Sequence, residues 1–152
     1  MYKKILLCFD GSREGRLALR EGARLAQITG AAVILLAVVE TGAASALAQG
    51  ADVGALAQQQ TDFKEILDEG YRRLSGMGLS PEVHMEFGDP VAKITHVANA
   101  IGADLVVIGH HQQGFWTRWM SRSVAAGLGD TLGCSLLLAQ KVVEDSELFH
   151  ND

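Results

Sequence analysis

The run Asp104-Leu105-Val106-Val107-Ile108-Gly109, with the polar stretch His110–Gly114 and then Arg118–Ser123, carries the residue types most suited to chemistry. It reads as a buried strand that stops at a glycine, a polar loop, and a serine at the start of a helix. In α/β proteins phosphate groups sit at such places. A helix N-terminus offers free N–H groups and the positive end of its dipole, and glycine lets backbone come close. Asp10, at the end of the first apolar run, is a second candidate: alone it could be a catalytic acid, and more simply it closes an Asp-Gly-Ser turn.

Other reactive side chains point less far. His110 and His111 are adjacent, so in extended chain they diverge, and no Cys or carboxylate stands beside them; no metal is assigned. His84 and His96 read as surface or helix-face residues. There is no Gly-x-Ser-x-Gly elbow, no Gly-Lys-Ser/Thr loop, no His-Glu-x-x-His and no Cys-x-x-Cys. No catalytic residue is assigned, and no residue is nominated as a base, so at most a slow hydrolase is expected. Arg13, Arg16, Arg20 and Arg24 recur at helical spacing and read as a solvated face. Phe115, Trp116, Trp119 and Met120 form an i, i+3/i+4 cluster, read as a packed helical turn, with an exposed partner patch as the other reading.

These residues need elements to position them. Ile5–Phe9 is a continuous apolar run, as in a parallel strand covered on both faces. Ser12 caps a helix whose apolar positions are Leu17, Ala18, Gly22, Leu25 and Ala26, and Gly30 ends it. Val33–Val39 is a second strand. Thr41–Gln60, rich in Ala, Gly and Gln, starts as a mobile loop and turns helical from about Ala55. Phe63, Ile66, Leu67, Gly70, Tyr71 and Leu74 make the apolar stripe of the next helix. Glu82–Phe87 alternates with period two, as an edge strand does. Asp89 and Pro90 open a third helix that Gly102 stops. Leu105–Ile108, a helix from Ser123 to Leu132, and Ser135–Ala139 complete the chain. Five strands with intervening helices predict an α/β fold, an open parallel sheet with helices on both faces.

Composition bounds the function. The 152 residues hold 48% hydrophobic and 20% charged residues, enough for one packed domain. A net charge of −5 excludes a general nucleic-acid binder. No run is long enough to span a membrane, and no signal peptide is visible, so a cytoplasmic protein is expected. Cys8 reads as an inert buried thiol, and with Cys134 the only other cysteine, no disulfide is expected.

Together these pieces resemble the universal stress protein family. The resemblance rests on Lys4–Ser12, Leu35–Glu40, Gly88-Asp89-Pro90, Gly102–Gly109, Ser123-Val124 and Cys134, in that order and at those spacings. It implies a Rossmann-like sheet in the order 3-2-1-4-5 over residues 1–141, leaving 142–152 as an acidic tail. It also implies a homodimer through strand 5, which would cover an apolar edge strand. Many members bind ATP through Gly-x2-Gly-x9-Gly-Ser/Thr after strand 4. Here Gly109, Gly114 and Ser123 match residues of that loop, while Gln112 and Arg122 stand where glycines belong. Asp10 matches the family's acid near base or ribose, and Val38 the residue whose backbone lies beside adenine. The implied cofactor-binding set is therefore Asp10, Val38, Gly109, Gly114, Arg122 and Ser123. Gln112 adds bulk where glycine supplies freedom, whereas Arg122 adds bulk but also a guanidinium suited to phosphate. The expected function is a stress-response regulator acting by binding, with an altered or weakened site for ATP or AMP. A protein-interaction module with a vestigial crevice and an unknown partner is the alternative. A phospho-receiver-like domain comes third, because an acid pair after strand 1 is missing.

Overall fold

Each apolar run becomes a strand because the chain covers it on both faces. In a computed structural model of the protein, describing residues 1–40, 53–109 and 122–140, the order is β1 Lys4–Cys8, α1 Arg13–Thr29, β2 Ala32–Val39, α2 Val53–Gly76, β3 Glu82–Phe87, α3 Pro90–Ile101, β4 Leu105–Gly109, α4 Arg122–Thr131 and β5 Ser135–Ala139. The strands form one parallel sheet in the order β3-β2-β1-β4-β5. β1, at the centre, is buried along Ile5–Cys8, and β4 is buried throughout. β3 stands at one edge, where its period-two pattern placed it, and β5 at the other. Of the residues expected to form a mobile loop before about Ala55, 41–52 lie outside the described residues, as does the aromatic cluster from Phe115 to Met120.

Local chemistry sets the helix ends. The Ser12 hydroxyl accepts the Gly15 N–H at 3.0 Å and caps α1, while Gly30 ends it at φ +68°. Asp89 accepts the Ala92 N–H at 2.9 Å with Pro90 in the first turn, and Gly102 closes α3 at φ +65°. α2 begins at Val53, slightly before the expected Ala55, and α4 at Arg122, one residue before the expected Ser123.

Two expected faces are corrected. Tyr71 does not share the buried stripe of α2: it is 44% exposed, while Phe63, Ile66, Leu67 and Leu74 are buried. At one turn per 3.6 residues it falls on the flank of that stripe. Arg16 is not part of a solvated face either. Its Nε donates to Glu69 Oε1 at 2.9 Å, and Arg73 Nε reaches the same oxygen at 2.8 Å. This joins α1 to α2 across 53 residues of sequence.

Asp104 secures the opposite end of the sheet. Its Oδ2 accepts the consecutive N–H groups of Lys3 and Lys4 at 2.7 and 2.8 Å, aligning the start of β1 with β4. Those two N–H groups hold its carboxyl below the usual carboxylate range.

Candidate functional site

The carboxyl ends of β1, β2 and β4 meet where the strand order reverses about β1, the position at which open α/β sheets hold ligands. Asp10 lies just past β1. At 2% exposure it is the one charged residue buried among the described residues. Its Oδ1 accepts the Ser12 N–H at 2.9 Å and the Ser12 hydroxyl at 2.5 Å. The residue therefore does close the Asp-Gly-Ser turn, with Gly11 at φ +79°. Its Oδ2 accepts no hydrogen bond among the described residues. A buried carboxylate oxygen without a donor is costly, so it marks a place where a ligand hydroxyl or N–H would be favoured.

Val38 supplies backbone groups. β2 outruns its pairing with β1: the last paired residue is Leu36, whose carbonyl receives the Phe9 N–H at 2.9 Å. In a parallel strand every second residue turns its N–H and C=O to the same edge. Val39 faces β3, because its carbonyl receives the Gly88 N–H. Val38 consequently turns both its groups toward β1, beyond the last rung, with no partner among the described residues. Its side chain is fully buried. An adjacent donor and acceptor on an extended backbone suit the edge of a planar heterocycle.

Gly109 ends β4 and has a packing duty that the sequence did not announce. A Cβ there would stand 2.4 Å from both the carbonyl carbon and oxygen of Glu14 and 2.7 Å from the Gly15 nitrogen. The missing side chain admits the first turn of α1. Gly15, which the sequence reading passed over, has a related role: a Cβ on it would lie 2.8 Å from Asp10 Oδ1. A glycine in a helix's first turn, where it weakens the helix, was the available signal.

Arg122 and Ser123 begin α4. Their backbone N–H groups belong to the first turn, which has no intrahelical acceptors. Gly114, Gln112 and the His110-His111 pair lie outside the described residues. Cys8, directly before this region, is fully buried, and burial, reinforced by the charge of Asp10, pushes its thiol far up; it is inert as expected. Among the described residues no group of three or more His, Cys, Asp or Glu is placed to hold a metal.

A five-stranded parallel sheet in this order, with helices on both faces, is a Rossmann-like doubly wound fold. Residues 1–140 match the Universal stress protein family. The chain is 30% identical over 139 residues to Universal stress protein Sll1654 of Synechocystis, covering 91% of this chain and 85% of that one. The chain belongs to the universal stress protein family. Its fold is also that of the universal stress protein from Archaeoglobus fulgidus solved with dAMP (TM-score 0.69, 19% identity, 90% of this chain and 97% of that one). A family member from Arabidopsis thaliana solved with AMP shares it too (TM-score 0.65, 13% identity, 93% of each chain). No helix among the described residues is long and apolar enough to cross a membrane.

Proposed function

We propose that this protein is a stress-response regulator that acts by binding an adenine nucleotide or nucleoside in the crevice past β1, β2 and β4. One juxtaposition carries this. Among the described residues the backbone N–H and C=O of Val38 have no partner on the β1 side, and the buried Asp10 past the end of β1 has one carboxylate oxygen without a donor. The first suits a base edge and the second a ribose hydroxyl. Relatives of the same fold solved with dAMP and AMP support the same class of ligand.

The phosphate side differs. Gln112 and Arg122 replace glycines of the family loop, leaving Gly109, Gly114 and Ser123. Phosphate therefore adds little to binding, and ATP or AMP is held weakly. The protein works in the cytoplasm as a homodimer through β5, whose Leu136, Leu137 and Leu138 are only partly buried at an open edge.

Calorimetric titration with adenosine, AMP and ATP tests the site. The three are expected to bind weakly and within about threefold of one another, less than ~1 kcal/mol apart. The double change Gln112→Gly, Arg122→Gly should then strengthen ATP more than adenosine. Tight ATP binding that Arg122→Gly weakens would make Arg122 a phosphate ligand. No binding of any of the three would leave the crevice vestigial and favour an interaction module.

A further inference from the structure

Three elements meet at the first turn of α1. The Ser12 hydroxyl donates to Asp10 Oδ1 at 2.5 Å and accepts the Gly15 N–H at 3.0 Å. Gly15 thus sits at the end of a short relay that starts at the carboxylate. The same glycine leaves the room in which that carboxylate stands. The nearest atom to a Cβ on Gly15 would be Asp10 Oδ1 at 2.8 Å, followed by Phe9 Cδ2 at 3.0 Å and Ser12 Oγ at 3.2 Å. From the other side, the turn is seated on β4 by the close approach of Glu14 and Gly15 backbone to Gly109. Asp10 is 2% exposed, so a side chain at position 15 must displace the carboxylate or the turn that carries it.

We propose that Gly15 is a positioning residue for the ligand site: its missing side chain and its N–H, acting through Ser12, fix the direction in which Asp10 presents Oδ2, the oxygen that has no donor among the described residues. This rests on the crevice reading above, in which that oxygen meets a ligand hydroxyl. Gly15 itself touches no ligand. Its effect is on one hydrogen bond, so it should alter affinity without altering which face of the sheet binds.

The test compares the parent, Gly15→Ala, Asp10→Asn and the double variant, each with adenosine titration and with the Ser12 backbone amide followed by NMR in ligand-free protein. In Gly15→Ala the Ser12 amide proton is expected to move upfield as its bond to Asp10 is displaced. Adenosine affinity should fall roughly tenfold, the effect of putting one charge-assisted hydrogen bond out of line. In the Asp10→Asn background the same change should cost less than about twofold, because the group it acts through is already altered. A Ser12 amide that does not move, or an equal tenfold loss in both backgrounds, would overturn the proposal, since a purely structural role gives additive losses. If the parent binds no adenosine, the crevice reading fails and the Ser12 amide alone decides whether Gly15 positions Asp10. If Gly15→Ala does not fold, Ser12→Ala, which breaks the relay without adding bulk, takes its place. Its adenosine loss should likewise vanish in the Asp10→Asn background, and persistence there would overturn the proposal.

Discussion

Replacing Gly109 with alanine separates two roles for one residue. If this glycine serves only phosphate, the ligand-free protein should not notice the change. The geometry says otherwise. The added Cβ would meet the Glu14 carbonyl carbon and oxygen at 2.4 Å and the Gly15 nitrogen at 2.7 Å. Ordinary carbon contacts fall near 3.5–4.0 Å, so α1 and β4 must part by roughly 1 Å. The atoms struck are backbone inside a hydrogen-bonded turn, which cannot rotate away as a side-chain tip does. Overpacking of this kind costs about 1–3 kcal/mol, and the lower unfolded-state entropy of alanine returns roughly 0.4–1 kcal/mol. A net loss of about 1–2 kcal/mol lowers Tm by roughly 2–8 °C in a chain of this length. The assay is thermal unfolding by circular dichroism without ligand, at one protein concentration because association of any kind makes Tm depend on it. A ligand-free Tm within about 1 °C of the parent, with ATP binding lost, would refute the packing role and restore Gly109 as a phosphate residue alone.

Two further outcomes are expected. Asp104→Asn should destabilise the protein near neutral pH by weakening the hold on the Lys3 and Lys4 N–H groups. Because the folded carboxyl lies below its ordinary value, the stability it contributes is present above about pH 4 and lost as pH falls through the folded value. Urea unfolding across pH should show the gap between parent and variant narrowing in acid; a constant gap would remove the carboxylate's charge from the explanation. Leu137→Lys, in the middle of the partly buried β5 edge, should give monomer or insoluble protein by light scattering. An unchanged dimer would count against that interface.

What lay within one or two turns of chain was legible in advance. Ser12, Gly30, Asp89, Pro90 and Gly102 announce helix ends because capping is settled by residues three or four apart. The apolar runs Ile5–Phe9, Val33–Val39 and Leu105–Ile108 announce strands buried on both faces. Asp10 was legible as a turn-closing acid for the same local reason, and the alternation of Glu82–Phe87 told its edge position. Strand order was not readable from period or spacing; only the resemblance to a family supplied it. Tertiary structure alone decided the rest. Whether the backbone groups of Val38 outrun their pairing with β1 depends on β1 ending before β2, which neither strand contains by itself. Why Gly109 is glycine depends on a helix turn some 95 residues away pressing on it. Glu69 gathers Arg16 and Arg73, and Asp104 clamps β1, only once distant segments lie side by side. Local propensity names the elements, while steric contact and hydrogen bonding between them determine where the carboxylate of Asp10 stands.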